Sequence, residues 1–250
     1  SDGYLVNEIV ALIGALERTF HTEFSREAFM RSVELYRRAR SLAAELEQSV
    51  ARGDLSFSRF ASVLQWNHVL PVEDQITRLE LLRSETEDET LAKRRFRPTA
   101  TVVISGILPP MEEISEMIED AGLRVVGNDV ASMRRSYGYT PPVADEPGAY
   151  YVDLYGNHYP CTTLLHTADE RIERLVGLVE QTGADGFLFA GVKYCENEYF
   201  ELPLCREVLE QRGVPTLDLE FTVGDRRNLA TYRTRIEAFA EMLDSNHGDA

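Results

Sequence analysis

The run Gly183-Ala-Asp-Gly-Phe-Leu-Phe-Ala-Gly-Val-Lys-Tyr-Cys195 ends in a lysine, a tyrosine and a thiol, and Gly213-Val-Pro-Thr-Leu-Asp-Leu-Glu220 ends in a carboxylate. Both runs read as buried strands, with a helix between them. Ligands of open α/β sheets bind beyond the carboxyl ends of the strands. Cys195, Lys193 and Glu220 are therefore expected on one rim. A thiol there has three readings, and residue spacing leaves all three open. It is a packed and inert cysteine, a nucleophile served by His158 or His166, or a thiolate ligand to iron that needs companion cysteines.

Other residues could join that rim. Ser105-Gly-Ile-Leu-Pro-Pro110 follows the first strand of this half. It is neither a P-loop nor a dinucleotide fingerprint. Gly106 permits a tight strand-to-helix turn, and the helix start behind it could hold an anion. Asn128-Asp129 follows the second strand, with Arg134 and Arg135 just beyond. Asp129 and Arg135 are read as an ion pair that shapes the rim or as substrate contacts. Cys161, after Pro160, could approach the rim. Cys205 falls in the first turn of the next helix and reads as packed.

The elements that must position these groups follow from periodicity. Residues from about Leu5 to Ala92 form a helical segment, assigned to residues 1–95. Val6, Val10, Ile13 and Leu16 mark its first helix. Phe29, Val33, Tyr36, Ala39, Ala43, Leu46 and Val50 give one apolar face on the second. Ser25 is its expected N-cap and Gly53 its stop. A third helix runs from Phe57 to Val69, with Trp66 in the core. Pro71 opens a fourth, which ends in the acidic run Ser84–Thr90. The basic hinge Lys93–Pro98 marks the boundary.

Residues 96–250 then read as strand, helix, strand. The expected strands are Ala100–Ser105, Arg124–Gly127, Phe187–Ala190 and Thr216–Leu219, short apolar runs suited to a sheet covered on both faces. Helices are expected at Pro110–Ala121, Ala168–Thr182, Pro203–Arg212 and Asn228–Leu243. Pro203 suits a first helical position. Gly122, Gly183 and Gly213 suit left-handed helix ends. The fold class is α/β: a helical N-terminal segment followed by a flavodoxin-like or Rossmann-like parallel sheet of about four strands. Ser136–Pro160, rich in tyrosine, proline and glycine, has no period and reads as a long loop that could wall a pocket or a subunit contact.

Composition bounds the function. The net charge of −16 opposes a nucleic-acid surface, which needs a basic stripe, and opposes an anionic membrane surface. An anionic ligand such as a CoA ester would need a local basic pocket. No apolar run has the ~18 to 20 residues of a membrane-spanning helix, and no leader peptide is recognised. Three cysteines without a CxxC pair suit a reducing cytoplasm better than a disulfide scaffold.

Several segments together resemble a known family. Asp185-Gly186, Val192-Lys-Tyr-Cys195, Gly213–Glu220 and Thr234-Arg-Ile-Glu-Ala-Phe239 are similar to the C-terminal part of the 2-hydroxyacyl-CoA dehydratase and benzoyl-CoA reductase family, D-component-like. Val102–Gly106, Ala121–Asp129 and Arg135 match the segment before it. The resemblance covers most of the chain from about Thr99, and the earlier helices fit those that join the family's two α/β domains. It implies an oxygen-sensitive [4Fe–4S] cluster held by three cysteines, with Cys195 as one ligand. It implies radical, one-electron removal of water from a 2-hydroxyacyl-CoA, a second family subunit and a separate ATP-dependent iron–sulfur activator. The other two ligands would come from an N-terminal α/β domain that this chain begins after. Two further readings stand beside this one: a benzoyl-CoA reductase-like subunit, and a non-catalytic, cluster-free module that docks a partner chain.

Overall fold

The computed structural model describes residues 2–86, 98–161 and 167–248. The end of the acidic run, most of the basic hinge and His166 lie outside the described residues. Four helices come first: α1 (Asp2–Phe20), α2 (Arg26–Arg52), α3 (Phe57–Leu64) and α4 (Val72–Thr86). Ser25 caps α2 by accepting the Ala28 N–H at 3.2 Å. Gly53 ends it with a left-handed φ of +79°, a conformation that costs glycine little.

Two expectations about these helices are corrected. Tyr36 is 45% exposed, because the stripe of α2 settles on Ala39, Leu42, Leu46 and Val50. Trp66 is 48% exposed. α3 stops at Leu64, and the tighter 3₁₀ turn Gln65–His68 follows. Trp66 lies outside the core, beneath the Arg78 guanidinium at 5.2 Å.

The remaining elements are β1 (Ala100–Gly106), α5 (Glu112–Asp120), β2 (Leu123–Val130), α6 (Arg134–Tyr137), α7 (Pro147–Gly156), α8 (Ala168–Thr182), β3 (Gly186–Val192), α9 (Glu196–Glu210), β4 (Thr216–Phe221) and α10 (Leu229–Gly248). The four strands are parallel in the order β2-β1-β3-β4. This is the expected flavodoxin-like arrangement on a helical N-terminal part.

Val102, Ile104, Leu188 and Leu219 face one apolar cluster, shared with α2, α3, α4, α5 and α10. Val103, Phe187 and Phe189 face a second, shared with α8 and α9. The connection from β1 to β2 thus runs over one face, and the connection from β3 to β4 over the other. Strand order reverses between β1 and β3, so the crevice beyond their carboxyl ends is the topological switch point where ligands of such sheets bind.

The tyrosine-rich segment is not a continuous loop: it contains α7. That helix holds Pro147 in its first turn and two glycines, so its periodicity is weak. Tertiary contacts hold it instead. Phe29 meets Tyr150 edge-on at 5.7 Å, and Arg40 donates to the Tyr150 hydroxyl at 3.1 Å. Pro203 does not open its helix; it lies inside α9, which starts directly after Cys195. Cys205 is accordingly mid-helix, and packed as expected.

Two positions yield predictions. Gly106 has φ +155°, and a Cβ there would lie 2.3 Å from the Ala190 carbonyl oxygen. Gly106→Ala must push β1 and β3 apart, and denaturant unfolding should show a loss of about 3 kcal/mol or more. Glu119 joins α5 to the start of α3, accepting from the Phe57 N–H at 2.5 Å and the Ser58 hydroxyl at 2.7 Å. Burial outweighs both bonds and pushes its carboxyl above the usual range. The folded state then holds the proton more tightly than the unfolded one, so stability rises as pH falls through that raised value. Glu119→Gln should flatten the dependence of unfolding free energy on pH just above the ordinary carboxylate range, while the parent loses stability as pH rises there.

Candidate functional site

The switch-point crevice is edged by the turn after Gly106 on one side and by Lys193-Tyr194-Cys195 on the other. Lys193 and Tyr194 are exposed, and Cys195 is half-buried. Tyr194 takes a left-handed φ of +70°, uncommon for a residue with a side chain. This kink turns the chain from β3 into α9 and leaves Cys195 as the helix N-cap. The Lys193 N–H donates to the Phe221 carbonyl at 2.8 Å, and the Cys195 N–H to the Val192 carbonyl at 3.0 Å. Glu220 is exposed at the end of β4, where it pairs in register with Gly191. Cys195, Lys193 and Glu220 therefore share one rim.

Asp129, Arg135 and Cys161 lie beneath that rim. Asp129 is fully buried and Arg135 is 1% exposed. Asp129 sits within β2, paired in register with Ser105 of β1, and accepts the Ser105 hydroxyl at 2.8 Å. Arg135 donates to the Asp129 carboxylate at 3.3 Å and its carbonyl at 2.9 Å, and to Glu198 at 3.0 Å. It also approaches the Cys161 sulfur at 3.6 Å and the Gly106 carbonyl at 3.4 Å. Burial works against its charge, but Asp129 and Glu198 outweigh burial and hold Arg135 above the usual guanidinium range.

Arg171 of α8 completes the network. It donates to Asp129 at 3.1 Å, Ser105 at 3.1 Å and Glu198 at 3.3 Å, and pairs closely with Glu201. Three carboxylates thus face two guanidiniums, all nearly excluded from water. Sequence reading missed Arg171, Glu198 and Glu201. The signal was present: Glu198 lies four residues before Leu202 and Arg171 four before Leu175, each on its helix's apolar stripe. Charges on facing stripes must pair, because an isolated buried charge is costly.

The opposite face of the sheet carries a second polar group. Asn128 donates to Glu47 of α2 at 2.5 Å and to the Tyr137 hydroxyl at 3.2 Å. Glu47 also pairs with Arg134.

A four-iron cluster takes three or four thiolates. Among the described residues no set of three Cys, His, Asp or Glu side chains converges as metal ligands do. Cys161 is 3% exposed and Cys205 4%. Burial raises the Cys205 thiol above its ordinary range, so it resists forming a thiolate. The described residues therefore do not fit a cluster by themselves; Cys195 offers one thiol on the rim.

Fold and rim define an open parallel α/β protein with a half-buried cysteine beside its switch point. The chain belongs to the 2-hydroxyglutaryl-CoA dehydratase D-component family, whose model matches residues 1–243. It is 22% identical over 242 residues to the (R)-phenyllactyl-CoA dehydratase beta subunit of Clostridium sporogenes, covering 96% of this chain and 63% of that one. It is 24% identical over 247 residues to the lactoyl-CoA dehydratase subunit beta of Anaerotignum propionicum, covering 96% and 64%. It is 24% identical over 236 residues to the (R)-2-hydroxyglutaryl-CoA dehydratase subunit beta of Acidaminococcus fermentans, covering 92% and 61%. The chain thus spans less than two thirds of the length of these relatives.

Removing one partner from a buried ion network strands the others. Arg171→Met should lower the unfolding free energy by about 3–5 kcal/mol. Arg171→Met with Glu201→Leu should recover part of that loss, since the closest stranded carboxylate is gone. A double-mutant cycle in urea reads the coupling; additive losses would show that the two residues are independent.

Proposed function

We propose that the chain forms part of a beta-type subunit of a 2-hydroxyacyl-CoA dehydratase, a lyase that removes water from a 2-hydroxyacyl-CoA. The observation that carries this reading is the family match across nearly the whole chain, joined to a thiol at the switch-point rim. In this reading Cys195 supplies one ligand to a [4Fe–4S] cluster, and residues outside the described ones supply the rest. When bound, such a cluster supplies an electron and an open iron at the substrate. This chain's part is to present the thiol. Lys193 would offer a cation, and Glu220 a carboxylate, beside the acyl-CoA. A second subunit of the same family and an ATP-dependent iron–sulfur activator complete the proposed system. The reducing cytoplasm suits a chain with three cysteines and no CxxC pair, and among the described residues no helix is long and apolar enough to cross a membrane.

One observation favours a second reading. The described residues gather no ligand set around Cys195. A cluster-free module that docks a partner chain would need none. A benzoyl-CoA reductase-like subunit would use the same rim on an aromatic substrate.

The deciding experiment measures iron, acid-labile sulfide and water elimination from 2-hydroxyacyl-CoA. It uses the assembled protein that carries this chain, prepared without oxygen, beside its Cys195→Ser variant. The dehydratase reading expects a full cluster in the parent, and loss of both iron and turnover in the variant. Equal iron in both would remove Cys195 from the ligand set. A well-folded, iron-free assembly that still binds its partner would select the docking module.

A further inference from the structure

Cys195 ends a three-residue connection, Lys193-Tyr194-Cys195, that no side-chain cap secures. Tyr194 holds a left-handed backbone there, a conformation that persists only where the surroundings over-determine it. On the strand side two backbone bonds fix the connection: Lys193 N–H to the Phe221 carbonyl at 2.8 Å and Cys195 N–H to the Val192 carbonyl at 3.0 Å. On the helix side the anchor is Glu198, three residues beyond Cys195. Glu198 is fully buried. Its two carboxylate oxygens meet Arg135 at 3.0 and 3.5 Å, and one of them meets Arg171 at 3.3 Å. Both arginines also bind Asp129 of β2. The first turn of α9 is therefore tied to the strand floor through a carboxylate gripped on two sides.

We propose that Glu198, clasped by Arg135 and Arg171, is the positioning residue for Cys195: it fixes the first turn of α9 and so the place and exposure of the thiol. This rests on the reading of Cys195 as the functional thiol, and adds what holds it there. Helix starts fray unless tied down. α9 opens with Glu196 and Glu198 in its first turn, and only Glu198 points inward. Without its charge Arg135 keeps Asp129 but loses its hold on α9, and Arg171 keeps α9 only through Glu201, one turn beyond the helix start. The Tyr194 kink then keeps only backbone bonds on its helix side, Glu196 N–H to the Tyr194 carbonyl and Tyr199 N–H to the Cys195 carbonyl, and Cys195 swings outward.

The test is the alkylation rate of the native protein with iodoacetamide, read by mass spectrometry at Cys195. Cys205, buried further along α9, reports any wider opening of that helix. Glu198→Gln keeps the side chain's size and removes its charge. It should speed alkylation of Cys195 by about tenfold as the turn opens locally. Leu79→Ala, in the buried face of α4, lowers global stability at a distance and should leave that rate within about twofold. An unchanged rate in Glu198→Gln, or equal acceleration in Leu79→Ala, overturns the proposal.

Hydrogen exchange of the parent gives a second readout that needs no variant. The Tyr199 amide, bonded to the Cys195 carbonyl, should exchange as slowly as the amides of β1. Exchange at the rate of a fraying helix end overturns the proposal. Neither readout involves iron. If Cys195→Ser keeps its iron, the ligand reading fails while these two measurements still decide the role of Glu198.

Discussion

The structure depends on a buried charge arrangement that links β1 and the edge strand β2 to two helices. Asp129 lies on β2, Ser105 on β1, Arg171 on α8, and Glu198 and Glu201 on α9. Arg135 enters from the short α6. Each charge is expensive away from water, and each is bearable only while its partners hold their places. That dependence makes the network demanding. A shift of α8 or α9 by one turn would place a bare guanidinium or carboxylate against the Val103–Phe187–Phe189 floor. Apolar packing alone tolerates several registers, whereas this network tolerates one.

The end of β2 shows how a strand serves two faces. Asn128 and Asp129 are neighbours, so their side chains leave the sheet on opposite sides. Arg134 and Arg135 are neighbours too, and they divide in the same way. The Arg134 side chain pairs with Glu47, and its backbone N–H donates to the Asn128 side-chain amide oxygen, on the α2 side. Arg135 joins Asp129 and Glu198 on the side of α8 and α9. Two dipeptides four residues apart thus anchor the helical N-terminal part to one face and the Cys195-bearing helix to the other. Both anchors sit at the carboxyl end of the sheet, the end where the switch point opens.

Sequence alone showed the architecture well. Glycines after helices, apolar runs of strand length and the Ser25 cap are local signals, and local signals survive into the fold. The same holds for the rim, because the ends of β3 and β4 place Cys195, Lys193 and Glu220 together once the sheet is parallel. What escaped was set by tertiary contact. Trp66 was read as core from its period, but the change to a tight turn after Leu64 moved it outward. α7 had no legible period because its stability comes from Phe29 and Arg40. Arg171 and Glu198 looked like ordinary helix charges; only the facing of their two helices makes them a pair.

The contrast between floor and rim bears on what the chain can do alone. Beneath Cys195 the charged side chains of Asp129, Arg135, Arg171 and Glu198 engage one another, and the Cys161 and Cys205 thiols are buried. Near Cys195 in sequence, Tyr194 and Phe200 are 84% and 81% exposed. A site that binds a small molecule by itself surrounds it with walls. This rim has a fixed floor, one half-buried thiol and exposed aromatic side chains. The buried network is what allows such a division. A thiol held from below by a charged clasp keeps its place without help from anything above it.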